Sequence, residues 1–542
     1  MGRRTTTRWL GGLAAAGLLA VSCGGGGNAG DSPSNEGAPA KGGSFSVQSG
    51  EPQALAPMGN CYSSECSQII NVLWTGLLSI DPETSEQILG VAESIDSPDG
   101  KVWTVKLKQG WKFHNGEPVD AESFVRAWNY NAYGPNATEI GFFFSPVEGY
   151  SDLQGKKPKS KEMSGLKAVD PQTIEITLSE AFSQWPLTMS YTPAFAPMAK
   201  ACIDDLKACN ETPIGNGPYQ IDGKWEHNRQ IAVTKYADYQ GDDAGNADDI
   251  VFKIYSNPAT AFKDYQAGNL DIVTPDPSQV PQAQASVAED KILQVDSGSY
   301  AYLGFPLYEP EFQDIRIRQA LSMAIDRQLI IDRILNGLFQ PAQDVVAPFV
   351  PGSRDDACGE NCTYNPDMAK QLWDEAGGIP GNKITIWFNN DGGHEAWIEA
   401  LAKGWQDVLG VDYEFKSQPF TPYLASLGAG KVDGPYRLGW LPDYPSPQNY
   451  LDPIYGEGSS NYGKWSGPAH DKFLDLVNEG DGAPSVEEGL PIYQQAADVV
   501  LEELPVIPLW FGQTFIVFSD NVSNVQYSPL DQLLLTQVSA AS

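Results

Sequence analysis

The chain has 542 residues, which is too many for one hydrophobic core and indicates two or three domains. Hydrophobic residues make up 41% and aromatic residues 11%, a composition typical of globular proteins and not of disordered ones. The 35 basic and 69 acidic side chains give a net charge of −34, which argues against nucleic-acid binding because phosphates need Lys and Arg. Such acidity keeps an exported protein soluble but identifies no substrate.

Residues 1–22 predict a signal peptide. Three arginines within the first eight residues precede an apolar run over 10–21, which is too short to span a membrane. The run ends in LAVSC, which resembles the bacterial lipobox, although Ala20 departs from the usual Leu. We therefore expect Cys23 to carry a lipid that anchors the exported chain to the outer face of the cell membrane. An ordinary secretory peptide and a twin-arginine signal at Arg3-Arg4 are the alternatives.

Residues 23–43 predict a flexible tether. They consist mainly of Gly, Ser, Pro, Asn and Ala, with few large apolar side chains. Such a tether would typically hold the folded part roughly 25 Å from the lipid.

The remaining six cysteines predict disulfides. An even, locally paired set in an exported chain favours oxidised pairs. The pairs are Cys61-Cys66, Cys202-Cys209 and Cys358-Cys362. Metal binding is the alternative, but no pair has the CxxC spacing and no histidine lies beside a pair. We therefore expect no metal and no cofactor, whereas the redox state of the pairs is not fixed by the sequence.

Several elements of the first part follow from residue patterns. A strand is expected to begin at Ser44, and the apolar run over 69–78 is expected to be a helix. Apolar and polar residues alternate over 103–108, which predicts a strand with one buried face. Asp120 is placed to cap the helix that follows.

In the second part, Asp314 and Asp326 are each placed to cap a helix, and the first of these carries an apolar stripe. Residues 365–377 begin with Asn-Pro and end with Gly, which are typical of the start and end of a helix. Residues 506–507 and 515–518 are expected to be two strands. Helices that alternate with strands indicate α/β lobes.

Six segments together identify a family resemblance. The first is GVAESIDSPDGKVWTVKLKQGWKFHNGEPVDAESFVRAW, residues 90–128. The others are PIGNGPY (213–219), DIRIRQALSMAID (314–326), YNPDMAKQLWDEAG (364–377), GWLPDYPSPQNYLDP (439–453) and YQQAADVVLEELPVIPLWF (493–511). In this order they resemble the bacterial extracellular solute-binding proteins of family 5, the oligopeptide and dipeptide type that feed ABC importers. The resemblance covers nearly all of residues 44–520.

The resemblance implies a two-lobed α/β fold of the periplasmic-binding-protein type II kind. A hinge joins the lobes, a ligand is enclosed between them, and one lobe carries a small extra domain. We place the first lobe at 44–85, 206–295 and 501–542, the extra domain at 86–205, and the second lobe at 296–500.

No catalytic constellation is present, so we expect a binding protein and not an enzyme. His394-Glu395 begins like the helix of a zinc protease, but the second histidine is absent four residues later. The Gly-x-Ser-x-Gly elbow and the phosphate-binding loop pattern are also missing from the sequence.

The resemblance implies which residues bind the two charged ends of a peptide. These ends need fixed counter-charges in the protein once they lose water. In peptide-binding members, an Asp in the segment matching GWLPDY holds the ligand's α-amino group, and here that residue is Asp443. Some members have an Arg before the Gly-Trp that reaches the ligand's carboxylate, and here it is Arg437. Trp440 would pack beside the ligand backbone, with core packing as the alternative.

Four further residues are weaker candidates for the ligand site. They are Tyr300, Tyr302, Asn389 and Asn390, whose hydroxyl and amide groups suit recognition of a peptide backbone. The same residue types also suit turns.

The implied partners are a short peptide and a membrane permease pair driven by cytoplasmic ATPases, with the binding protein acting as a monomer. A different solute is the first alternative: a nickel chelate, a sugar, an opine or a signalling compound. A sensor without transport is the second.

Overall fold

A computed structural model describes residues 41–541 except Tyr62, Glu83, Gly458 and Ser459. The predicted signal peptide and Cys23 lie outside the described residues, and so does the tether up to residue 40. Within the described part, none of the helices has the length and apolar character needed to cross a bilayer.

Strands and helices alternate along most of the chain. The strands are β1 Ser44–Ser49, β2 Leu78–Ile80, β3 Gln87–Leu89, β4 Ala92–Asp96, β5 Val102–Leu107, β6 Leu166–Asp170, β7 Thr173–Thr177, β8 Tyr219–Ile221, β9 Gln230–Lys235, β10 Asp249–Ile254, β11 Ile272–Val273, β12 Ile292–Gly304, β13 Phe339–Pro341, β14 Lys383–Asn389, β15 Asp412–Gln418, β16 Tyr436–Trp440, β17 Val506–Phe518, β18 Val522–Ser523, β19 Tyr527–Ser528, β20 Gln532–Leu533 and β21 Ser539–Ala540. The helices are α1 Ser64–Leu73, α2 Ala121–Ala132, α3 Trp185–Thr188, α4 Thr192–Phe195, α5 Lys200–Asp204, α6 Leu206–Glu211, α7 Pro258–Gln266, α8 Val280–Ser286, α9 Ile315–Met323, α10 Arg327–Arg333, α11 Pro366–Ala376, α12 Glu395–Leu409, α13 Phe420–Gly428, α14 Gln448–Tyr455, α15 Pro468–Asp481 and α16 Val486–Glu503.

One large mixed sheet runs through the molecule in the order β15-β14-β16-β12-β17-β11-β1-β10-β9-β8, with β13 paired to β17. The antiparallel pair of β12 and β17, each 13 residues long, lies in the middle of this order. Strands from residues 44–273 lie on one side of that pair, and strands from residues 383–440 lie on the other. The two long strands therefore connect the two halves of the sheet.

A separate four-stranded antiparallel sheet, in the order β4-β5-β7-β6, lies within residues 92–177. On β5 the alternating side chains Trp103, Val105 and Leu107 are buried, as the sequence pattern predicts. The side chain of Asp120 accepts a hydrogen bond from the Ser123 backbone N–H at 2.9 Å, so the predicted cap of α2 is confirmed.

Two sequence predictions of elements were wrong in their bounds. The helix expected over 69–78 is α1, which ends at Leu73 because Trp74 has an extended backbone. Residues 506–518 form the single strand β17 instead of two strands. Pro508 has no N–H for the ladder, and a register shift against β12 beside it lets the strand continue.

Two arginines early in the second half of the chain are buried, and backbone carbonyl groups accept the hydrogen bonds of their guanidinium groups. Arg318 is 4% exposed, and its guanidinium donates to the carbonyl oxygens of Phe312, Gln313, Glu503 and Leu504 at 2.6–3.1 Å. Burial lowers the pKa of Arg318 to about 10. This side chain ties α9 to the segment that leads into β17.

Arg327, at the start of α10, is held in a similar way. Its guanidinium donates to the carbonyl oxygens of Pro508, Ser322 and Cys362 at 2.9–3.2 Å.

The three predicted cysteine pairs are joined as disulfides, with Cα–Cα distances of 5.6, 5.0 and 5.5 Å in chain order. These distances fall in the ordinary range for disulfides.

Candidate ligand-binding site

A pocket of about 460 Å³ lies between segments that are far apart in the sequence. Its walls come from residues of α1 and the β2–β3 hairpin, from residues 190–193, from the loop 441–443 after β16, and from residues 528–537. Pockets of this size commonly enclose small molecules.

Asp443 is the charged residue that the loop after β16 brings to this pocket. The Asn449 side chain, on α14, fixes the loop: its Oδ1 accepts the Asp443 backbone N–H at 2.8 Å and the Trp440 Nε1–H at 3.4 Å. Trp440 is half-buried and packs against the apolar core beneath the loop. One asparagine therefore sets the positions of both predicted residues.

The carboxyl group of Asp443 has no counter-charge in the described part of the chain. Burial raises its pKa to about 6, and the contact with Asn449 opposes this only partly. Among the described residues no Lys, Arg or His forms an ion pair with it. A poorly solvated carboxylate that borders a pocket is suited to a cationic group of a ligand.

Tyr191 and Ser67 line the same pocket from other segments. The Tyr191 ring stacks on Phe143, with ring centroids 4.8 Å apart. Burial raises the pKa of Tyr191 to about 12, a hydrogen bond with Ser67 opposes this rise, and the charge of Asp443 adds to it. Tyr191 and Asp443 therefore line the same pocket, and the charge of one affects the titration of the other. Sequence reasoning missed both residues, because no local pattern around them points to a site.

Buried polar contacts hold the Asp443 loop against residues 183–191. Ser446 Oγ donates to Gln184 Oε1 at 2.9 Å, and both side chains are 0% exposed. The Ser183 backbone N–H donates to the Asp481 carbonyl oxygen at 2.8 Å. The first contact joins the segment that carries Asp443 to the segment that leads to Tyr191, and the second joins that same segment to the end of α15.

Arg437 belongs to a second polar cluster, which does not line the 460 Å³ pocket. Its guanidinium donates to Asn389 Oδ1 at 3.3 Å, and Asn389 in turn donates to Asp391 Oδ1 at 2.8 Å. Burial lowers the pKa of Arg437, and within the described residues no carboxylate pairs with it. Beside it, burial and the charge of Arg437 lower the pKa of His394 to about 3. Within the part of the chain that the structure describes, Arg437 is therefore a cation with no carboxylate partner, next to a neutral imidazole.

The remaining candidates lie elsewhere. Tyr300 and Tyr302 on β12 are 2% and 1% exposed, and they pair with Trp440 and Leu438 of the neighbouring strand β16. Their rings pack within the apolar cluster that also contains Phe511, beneath the sheet and outside the pocket lining. Asn390 is exposed, and its backbone N–H donates to the Gln418 carbonyl oxygen at 3.0 Å.

Comparison with known proteins identifies the family. The sequence profile of "Bacterial extracellular solute-binding proteins, family 5 Middle" matches residues 86–462, more than half of the chain. The chain belongs to this family.

Relatives within family 5 match over most of their length. The chain is 26% identical over 494 residues to the oligopeptide-binding protein OppA of Bacillus subtilis, covering 88% of each. It is 28% identical over 478 residues to the periplasmic murein peptide-binding protein MppA of Escherichia coli, covering 85% of this chain and 86% of the relative.

Solved structures confirm the predicted two-lobed α/β fold. The unliganded open form of MppA superposes with a TM-score of 0.80 at 23% identity, covering 93% of this chain and 98% of that one. Haemophilus influenzae OppA in complex with RPPGFSPFR gives 0.70 at 22% identity, covering 93% and 100%. The family consists of solute-binding proteins, which confirms the prediction that this member of family 5 is not an enzyme.

Proposed function

We propose that this member of family 5 captures short peptides with a free α-ammonium group and delivers them to an ABC importer. The observation that carries the proposal is the half-buried carboxylate of Asp443, which borders the pocket without a cation of its own among the described residues. Relatives named as oligopeptide-, dipeptide- and murein peptide-binding proteins support it. Export, a lipid anchor at Cys23 and delivery to a permease pair by a monomer belong to the same proposal.

Within the site, Asp443 would hold the ligand's ammonium group and Arg437 its carboxylate. Arg437 lies on β16, which ends three residues before Asp443, and this strand pairs with β14 at the single position Trp387↔Tyr436, so the two strands diverge beyond it. An extended peptide that lies along this edge would gain backbone hydrogen bonds, which serve peptides of many sequences. Trp440 would support the peptide backbone.

The other predicted residues would act indirectly. Asn389 would orient Arg437, Tyr300 and Tyr302 would support Trp440 from below, and Asn390 would lie at the rim.

We also propose the predicted division of the chain, with one change. Strand β2 lies before the boundary at residue 85 and β3 after it, yet the two form one hairpin. A boundary after Leu89 keeps that hairpin in the first lobe.

A non-peptide solute is the second candidate, because a probable deoxycholate-binding periplasmic protein of Escherichia coli is 26% identical over 479 residues. An anionic ligand of that kind would meet the uncompensated charge of Asp443, which disfavours it. A bound peptide or a bound acid, identified by mass spectrometry of the purified protein, distinguishes these two candidates.

Capping the ends of a peptide tests the proposed contacts. A tripeptide with both ends free is expected to bind, and its N-acetylated form is expected to bind at least about 30-fold more weakly, because Asp443 then stays buried without a cation. The tripeptide with a C-terminal amide should also bind more weakly than the free form, because it lacks the carboxylate that would contact Arg437. Isothermal titration calorimetry with the three forms measures both effects. Equal affinities for the free and the acetylated peptide would refute the role of Asp443.

The affinity for such a peptide is expected to fall as the pH falls from 7 to 5. Burial raises the pKa of Asp443 to about 6 in the empty protein, and a bound ammonium group favours the ionised carboxylate. At pH 5 only about a tenth of the empty protein has Asp443 ionised, so Kd should rise about tenfold relative to pH 7. Titrations at the two pH values measure this rise.

The Asp443→Asn variant is the control for this pH effect, because its side chain does not titrate. Its residual affinity should be the same at pH 5 and pH 7. A wild-type Kd that does not change over this interval would contradict the prediction.

A further inference from the structure

Three large apolar side chains border the pocket and remain exposed. Ile88 and Leu89 on β3 are 49% and 37% exposed, and Leu441 in the Asp443 loop is 40% exposed. They come from two segments more than 350 residues apart in sequence, on the hairpin and on the loop. Exposed apolar groups that converge on one pocket indicate a binding surface for an apolar ligand group.

The hairpin that carries Ile88 and Leu89 is held in place by the main chain. Leu78, Ser79 and Ile80 of β2 pair in register with Leu89, Ile88 and Gln87 of β3. At the base of the hairpin, the Gly90 backbone N–H donates to the Leu77 carbonyl oxygen at 2.9 Å. Lys108 Nζ donates to the Leu89 carbonyl oxygen at 3.0 Å, which ties the hairpin to the end of β5. The apolar surface is therefore preformed.

The position of Leu441 relative to Asp443 limits which part of a peptide meets this surface. The two residues are two positions apart, which corresponds to at most about 7 Å of extended chain. A peptide whose ammonium group contacts Asp443 advances by a similar length over its first two residues. A peptide that runs from Asp443 toward Leu441 therefore brings its first or second side chain within reach of Leu441.

The charged groups of the pocket disfavour an acidic side chain there. Among the described residues, Lys108 is the one basic residue in the pocket lining, and it donates one of its three ammonium protons to the Leu89 carbonyl oxygen. Three carboxyl groups outnumber it. Asp242, Asp243 and Asp443 all line the pocket, and Asp243 accepts hydrogen bonds from Thr536 and Gln537. A ligand carboxylate beside these groups would be repelled.

We propose that Ile88, Leu89 and Leu441 determine specificity by selecting free-amine peptides with a large apolar side chain at their first or second position. This inference rests on the proposed function, because it takes the ammonium group at Asp443 as given.

The test is a calorimetric series of tripeptides with free ends. Ala-Ala-Ala is the reference, Leu replaces one Ala at each position in turn, and Asp replaces Ala at the first two positions. Leu at the first or second position is expected to tighten binding about tenfold, because most of its side chain is removed from water. Leu at the third position should have a smaller effect, and Asp should weaken binding.

The Ile88→Ser and Leu441→Ser variants should lose most of the preference for Leu while still binding Ala-Ala-Ala. Leu329→Ser is the matched control, since Leu329 is 52% exposed and does not line the pocket. The preference is the Kd of Ala-Ala-Ala divided by the Kd of the peptide with Leu at the first or second position. A preference near one in the wild type, or a preference that both pocket variants retain, would overturn this inference and leave the proposed function intact. Failure of every free-amine peptide to bind would overturn the proposed function together with it.

Discussion

Replacing Asp443 with Ala is expected to weaken the binding of a free-amine peptide by at least about 2 kcal/mol, or roughly 30-fold in Kd. The ligand's ammonium group would leave water and find no other carboxylate on the Asp443 loop, so its desolvation would go uncompensated. Isothermal titration calorimetry at pH 7 measures the loss. Affinity for an N-acetylated peptide should hardly change, because that ligand carries no ammonium group.

The stability of the empty protein distinguishes lost binding from lost folding. The pKa of Asp443 is raised on folding, so its ionised form destabilises the native state, and stability falls as the pH rises from about 4 to about 6. Asp443→Asn should therefore be at least as stable as the wild type at pH 7 while it binds poorly. Asp290→Ala, which removes an exposed carboxylate, is the control for binding. Unchanged affinity in the Asp443 variants would remove this residue from the site.

Replacing Arg318 with Ala is expected to lower the free energy of unfolding by about 3–5 kcal/mol. The guanidinium satisfies the carbonyl oxygens of Phe312, Gln313, Glu503 and Leu504, and its removal leaves buried acceptors and a cavity. Urea unfolding followed by tryptophan fluorescence measures the change.

Arg316→Ala is the matched control, two residues away on the same helix. The Arg316 side chain is 43% exposed and pairs with the exposed Asp314, so its loss should cost less than about 1 kcal/mol. Arg318→Lys should fall between the two, because an ammonium group cannot reach four carbonyl oxygens placed around a planar fork. Similar losses for Arg316→Ala and Arg318→Ala would show that the carbonyl contacts do not stabilise the fold.

The local elements show why much of the fold was predictable. The caps Asp120, Asp314 and Asn365 act on backbone N–H groups only two or three residues away. The buried face of β5 follows from the alternation of its own side chains. Predictions were wrong where a distant contact decided the outcome. The helix α1 ends before Trp74, whose side-chain Nε1–H donates to the carbonyl oxygen of the distant Pro197.

The candidate site divides in the same way. Asp443 and Arg437 could be singled out because they belong to a motif within one strand and its loop. Their separation into a pocket residue and a member of the Asn389 cluster depends on the packing of β14 and β16, which the motif does not record. The hydroxyl groups of Tyr300 and Tyr302 suit recognition of a peptide backbone, but the face of β12 that carries these residues turns toward the core.

The sequence by itself determined the family, the α/β class and the helix caps, and it singled out Asp443 as the candidate for the ligand's ammonium group, because each depends on neighbouring residues or on motifs in order. Only the tertiary structure decided what surrounds Asp443. Tyr191, Ser67 and the β2–β3 hairpin come from segments 250 or more residues away. It likewise decided that Arg318 is buried, since the carbonyl groups that replace its water lie partly on its own segment and partly at the end of α16. Contacts of such sequence separation form when the chain packs, and no local pattern encodes them.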